Sequence, residues 1–285
     1  MNLISSFMML YVLFFVPVVP TFECKTERAP QKMKDSKKSL FGVNLRLEAQ
    51  KLLTVVENYY GKPIEESRAS NWPPGKIGHA TVKSDGTPVI TMNSSIPINE
   101  EDIVHELFHL KLNAEGFYAY HYYESDTRDK IERNKEFLEF LSASVYDPIQ
   151  HQLFNPEIRK MGLEPSLIIK KAVESRVQSK STAGLSEEAD RAVFYFRAAL
   201  ELNDKKLLNK LDQLYRKNRW DDSLNIGIDL ANIIVKAKPK TPEQVLSAYV
   251  NCINRLLHGM ASFKVTKRTS EKRGKIDYYI AVYFF

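Results

Sequence analysis

Apolar positions recur with two different periods along this chain, and the period assigns the elements. Leu45, Leu52, Val55, Val56 and Tyr59 follow helical spacing and predict a helix over 45–60, ended by Gly61-Lys62-Pro63. Asn71-Trp72-Pro73-Pro74-Gly75 reads as a loop. Residues 77–83 and 88–93 read as strands, joined by the hairpin turn Ser84-Asp85-Gly86-Thr87. The helical period then returns. Ile103, Leu107 and Leu110 form one stripe, and Val104, Phe108 and Leu112 widen it. Asn99 is a suitable N-cap, Asp102 stands at N3, and Glu100 and Glu101 fill the first turn, where the helix dipole favours negative charge. Asn113-Ala114-Glu115-Gly116 supplies the stop, with Gly116 placed as a C′ residue.

Residues 128–146 carry Ile131, Leu138, Leu141 and Val145 on one helical face. Beyond Pro165 the pattern predicts helices over 167–177, 187–202, 207–218, 223–236 and 243–257. The last opens on Thr241-Pro242-Glu243-Gln244, with a capping threonine, proline at N1 and glutamine at N3. Its core face is Leu246, Tyr249, Val250, Ile253 and Leu257, and a final strand runs over 276–284. The predicted class is α+β: a small mixed core over 41–165, then a mostly helical region, 166–285, that ends in a strand. No catalytic constellation falls in that second region; its expected roles are to cover the core, close a cleft or bind a partner.

Composition narrows the class without choosing a function. With 285 residues, 44% hydrophobic and 27% charged, the chain fits a folded protein with a sizeable core. The net charge is +6, but lysine and arginine are spread along the sequence as on a solvated surface, so no nucleic-acid partner is expected. There is no internal repeat and no glycine-rich phosphate loop. Residues 3–22 carry no charge, which suits a signal peptide or a minimal membrane anchor over 1–24. No lysine or arginine precedes the run, while Lys25, Arg28, Lys32, Lys34, Lys37 and Lys38 follow it in a basic linker, 25–40. That flank favours a retained anchor with its catalytic part in the cytoplasm over a cleaved signal. Export or membrane association is the expectation, and a plain cytoplasmic protein the alternative. Cys24 and Cys252 form no metal motif; they pair only if both persist in an oxidising compartment.

The chemistry concentrates in Ile103-Val104-His105-Glu106-Leu107-Phe108-His109-Leu110. On a helix, His105 and His109 project from one face about a turn apart, where two imidazoles can hold one metal ion. Zinc is the natural choice, since it accepts neutral nitrogen at about 2.0–2.1 Å. Glu106 is not expected to be a ligand, because it lies about 100° around the helix from His105. Its carboxylate can instead address a water on the metal, whose pKa zinc lowers to near 7, and act as general base. A buried helix carrying these three polar side chains needs partners for them, and a metal would satisfy them.

His-Glu-x-x-His together with the helix–hairpin–helix order resembles the zincin metallopeptidases, and in particular the compact ImmA/IrrE-like or gluzincin-like cores. The resemblance covers roughly residues 43–165 and is specific at His105, Glu106 and His109. It implies a zinc cofactor, a peptide or protein substrate, and a strand before the metal helix whose edge pairs with extended substrate. Val89-Ile90-Thr91-Met92 is the candidate strand. It also implies a third protein ligand, which glutamate-ligand zincins take from a downstream helix; Glu139 and Glu136 then qualify, though neither is followed by an aspartate four residues later. Asp147 and His151 offer another pair at i, i+4, and the apolar surroundings of His151 (Ile149, Leu153, Phe154) rank it first, then Asp147, then Glu139. The plainer reading of His151 is a core histidine bonded to Asp147. The aromatic stretch 117–123 reads as a loop packed on the core; alternatively His121 or a tyrosine donates to an oxyanion. Three functions compete: a zinc metallopeptidase, a regulatory or binding protein on a zincin scaffold, and a membrane-attached interaction protein.

Overall fold

The computed structural model describes residues 38–284 apart from 71, 73–76, 118–122, 125–141, 180–186, 259–260 and 270–275. The fold is α+β, with eight α-helices and three small sheets among the described residues. The chain forms two compact units. The first holds the described residues up to Gly116 together with Glu157–Glu164; the second holds Phe117–Pro156 and Pro165–Phe285.

In the first unit, the two-residue strands β1 (Ser39–Leu40) and β2 (Val43–Asn44) lead into helix α1 (Leu47–Tyr60). Arg46 is its N-cap residue rather than part of the helix, and Gly61 closes it at φ 65°. Strands β3 (Glu65–Ala69), β4 (Gly78–Val82) and β5 (Pro88–Asn93) make a sheet in the order β3-β5-β4. β5 runs parallel to β3 and antiparallel to β4. The expectation that Val89–Met92 presents a free edge to a peptide is therefore corrected: β5 is the middle strand, with both edges paired. The polar run Glu-Glu-Ser-Arg-Ala of β3 hides its strand character, because it alternates only weakly and takes its place from pairing.

Helix α2 (Glu100–Ala114) begins on a complete capping box, in which the Asn99 side chain accepts from the Asp102 amide and Asp102 accepts from the Asn99 amide. Ile103, Val104, Leu107, Phe108, Leu110 and Leu112 are buried, as are Ile90 and Met92 of β5. Arg46 bonds Glu100 at 2.8 Å through Nε and donates to the Met161 carbonyl, tying the start of α1 to the start of α2 and to the 157–164 segment. The Tyr60 hydroxyl donates to the Leu110 carbonyl at 3.1 Å.

In the second unit, a π-helical turn (Ser142–Tyr146) runs into helix α3 (Asp147–Lys160), whose last residues count with the first unit. Helices α4 (Leu167–Ser179), α5 (Glu188–Glu201), α6 (Lys205–Lys217) and α7 (Asp221–Ala237) share a core of Ile169, Val173, Tyr195, Ala198, Leu207, Leu211, Leu214, Tyr215 and Leu224. Helix α8 (Pro242–Leu256) has the predicted threonine–glutamine capping box. Strand β6 (Tyr123–Glu124) pairs with β8 (Ile276–Phe284), which also pairs antiparallel with β7 (Ala261–Thr269). Asn254 clamps α8 to β7, donating to the Phe263 carbonyl at 2.8 Å and accepting its amide at 2.7 Å. Cys252 is buried, and burial pushes its thiol up to about 12. No helix among the described residues is long and apolar enough to cross a membrane. The apolar run 3–22 and Cys24 lie outside the described residues, as do Glu136, Glu139 and His121.

Candidate metal centre

Helix α2 sets the first part of the site. Four-residue spacing puts His105 and His109 on one face, both half-buried, with their Nε2 atoms 3.1 Å apart and their rings edge-on at 4.8 Å between centroids. Two nitrogens on one tetrahedral ion with bonds of 2.0–2.1 Å stand about 3.3 Å apart. The pair is thus spaced for a shared cation; the same distance also suits a hydrogen bond between neutral imidazoles. Glu106 is buried at 7% exposure, its Oε1 lying where a Cβ on Gly78 of β4 would come within 2.9 Å.

In the second unit, helix α3 carries His151. Asp147 and His151 are one turn apart, Asp147 Oδ1 standing 3.3 Å from His151 Nε2. The other ring nitrogen, Nδ1, lies 2.8 Å from Glu201 Oε1 at the end of α5. His151 and Glu201 are 1% and 2% exposed, so both charges depend on partners inside the protein. Arg197, one turn before Glu201, approaches it at 3.0 Å through Nε and reaches Asp147 at 3.8 Å. Burial works to lower the His151 pKa, but the carboxylates of Asp147 and Glu201 outweigh it and hold the imidazole up at about 9. Burial likewise works to raise the Glu201 carboxyl, and Arg197 and His151 hold it below its usual range.

Within the first unit, His105 and His109 offer two imidazole donors spaced for one ion, so this pair fits a nitrogen-liganded first-row metal. A cation beside His151 would oppose the pull of the two carboxylates and favour the neutral ring. Of the three alternatives for the third ligand, His151 and Asp147 stand 3.3 Å apart in the second unit, and Glu139 lies outside the described residues.

Glu201 and Arg197 are absent from the sequence reading. A signal existed: a carboxylate closing a helix where the dipole disfavours it, four residues after the arginine in the apolar run Ala-Val-Phe-Tyr-Phe-Arg-Ala-Ala-Leu-Glu. Gly78 left no signal, because only the packing of β4 on α2 gives it a role. In comparisons with known proteins, no family profile, curated protein or solved structure matches this chain.

Proposed function

We propose that this chain is a zinc-dependent hydrolase, most specifically a metallopeptidase with a zincin-like core, and that His105, His109 and His151 hold the metal. The observation that carries the reading is the pairing of His105 and His109 on one face of α2, their Nε2 atoms 3.1 Å apart, with Glu106 following the first of them. A zinc ion bound there would supply a Lewis acid for water activation and carbonyl polarisation. Glu106, the residue the helix turns away from the ligand pair, takes the proton of the attacking water and later delivers it to the leaving amine. β4, an outer strand of the β3-β5-β4 sheet that packs on α2, takes over from β5 as the strand offered to an extended peptide.

The test starts with metal analysis. The purified protein is expected to hold about one zinc per chain, and His105→Ala, His109→Ala and His151→Ala each to lose most of it. Full zinc retention by a His105→Ala/His109→Ala double variant would remove the site. Glu106→Gln keeps the shape and removes the proton acceptor, so zinc stays while peptide hydrolysis falls about 10²–10⁴-fold. Cleavage at the parent rate rules out this base. A parent that binds zinc yet cleaves nothing in a broad peptide library is instead a metal-holding regulatory or binding protein.

A further inference from the structure

We propose that Gly78 is a positioning residue for Glu106: the missing side chain at the start of β4 is what lets the Glu106 carboxylate occupy its place. The inference rests on the reading of Glu106 as the base. Gly78 stands opposite Met92 in the antiparallel β4–β5 register. A Cβ built there would lie 2.8 Å from Met92 Sδ, 2.9 Å from Glu106 Oε1 and 3.1 Å from Glu106 Cγ. Carbon contacts are most favourable at about 3.5–4.0 Å, so both side chains would have to give by about half an ångström or more. Met92 is 0% exposed and Glu106 is 7% exposed, so neither swings freely into solvent.

The backbone offers no competing reason for glycine here. Gly78 is not among the glycines in the left-handed region, which among the described residues are Gly42, Gly61, Gly86, Gly116 and Gly162. Within a strand, glycine weakens pairing, and its usual justification is a close approach by a neighbour. The neighbour at Gly78 is a carboxylate on the helix that carries His105 and His109. Two of the three close atoms belong to Glu106, and Cγ sits nearer the backbone than Oε1. Relief by rotation at the tip alone therefore leaves the Cγ contact in place. A methyl at position 78 shifts the base relative to the metal ligands, none of which supplies one of the three atoms nearest to it.

The experiment uses the full chain with zinc bound and compares the parent, Gly78→Ala, Glu106→Gln and the double variant. Zinc content, thermal unfolding, kcat and KM are measured on each. Gly78→Ala is expected to keep its zinc and to lose kcat by roughly 10–10²-fold with KM little changed, because misplacement of a reacting group by about an ångström is that costly. The double variant is expected to be no slower than Glu106→Gln alone, since both changes remove the same group's contribution. Losses that multiply, or a rise in KM at unchanged kcat, overturn the proposal. If parent and Glu106→Gln are equally inactive, the hydrolase reading fails by itself. A crystal structure of Gly78→Ala then decides this one: a displaced Glu106 carboxylate upholds it, and an unmoved carboxylate with Met92 alone shifted sinks it. Should Gly78→Ala not fold, the same measurements on Gly78→Ala/Met92→Ala remove the sulfur and leave Glu106 as the nearest contact.

Discussion

His151 and the α2 histidines are held by different devices at the residue scale. His105 and His109 owe their common face to helical geometry, which is why their spacing announces them. His151 owes its ring orientation to a carboxylate fifty positions away, Glu201, backed by Arg197. A carboxylate on one ring nitrogen fixes which nitrogen faces a metal and raises its basicity; losing such a partner commonly costs about 10–100-fold in metal affinity. Glu201→Ala is therefore expected to weaken zinc binding by that factor, read by competition with a chelator. It should also destabilise the metal-free fold by about 3–5 kcal/mol, because Arg197 and His151 lose the buried anion that compensates them. Unchanged zinc affinity in a folded Glu201→Ala protein would show that the orientation of His151 is set elsewhere.

At the scale of elements, local chemistry accounts for most boundaries. The box of Asn99 and Asp102 starts α2 where the sequence places it, and Thr241 with Gln244 does the same for α8. The β4–β5 turn is fixed by Asp85, whose carboxylate accepts the Thr87 amide at 3.0 Å and meets Lys62 at 3.1 Å. The Thr87 amide, then Lys62 and the Thr87 hydroxyl, depress the Asp85 pKa from 3.8 to about 2. A depressed carboxylate adds stability that is fully present above the unfolded pKa and is lost as pH falls through the folded one. Stability of the parent should thus decline between about pH 4 and pH 2 partly through Asp85, and Asp85→Asn should flatten that decline in urea titrations across the range. An identical acid limb in both proteins would discount the turn's contribution. Other boundaries depend on partners. Strands β3 and β7 escape a periodicity reading because each becomes a strand by pairing, β3 with β5 and β7 with β8. In α7, Gly227 is accounted for only by close packing, since a Cβ there would meet the Ala192 carbonyl at 2.8 Å.

At the scale of the whole molecule, the amino-terminal run 3–22 bears on where the chain works, and the expected setting is export or membrane association. Full-length protein should fractionate with membranes or appear outside the cell, whereas a chain beginning after residue 40 should stay soluble inside it. Uniform cytosolic recovery with residues 1–24 intact would exclude both. What the sequence determined by itself is what short-range physics controls: the capped and striped helix α2, the hairpin β4–β5, the run of carboxy-terminal helices, and the pairing of His105 with His109 one turn apart. What only the tertiary structure decided is everything that depends on contacts between distant positions. It made β5 a central strand, because β3 pairs along the edge that its own sequence leaves open. It set Glu201 behind His151 and placed a glycine against Glu106. Periodicity reports which face of an element is buried, but not which residue of another element it is buried against.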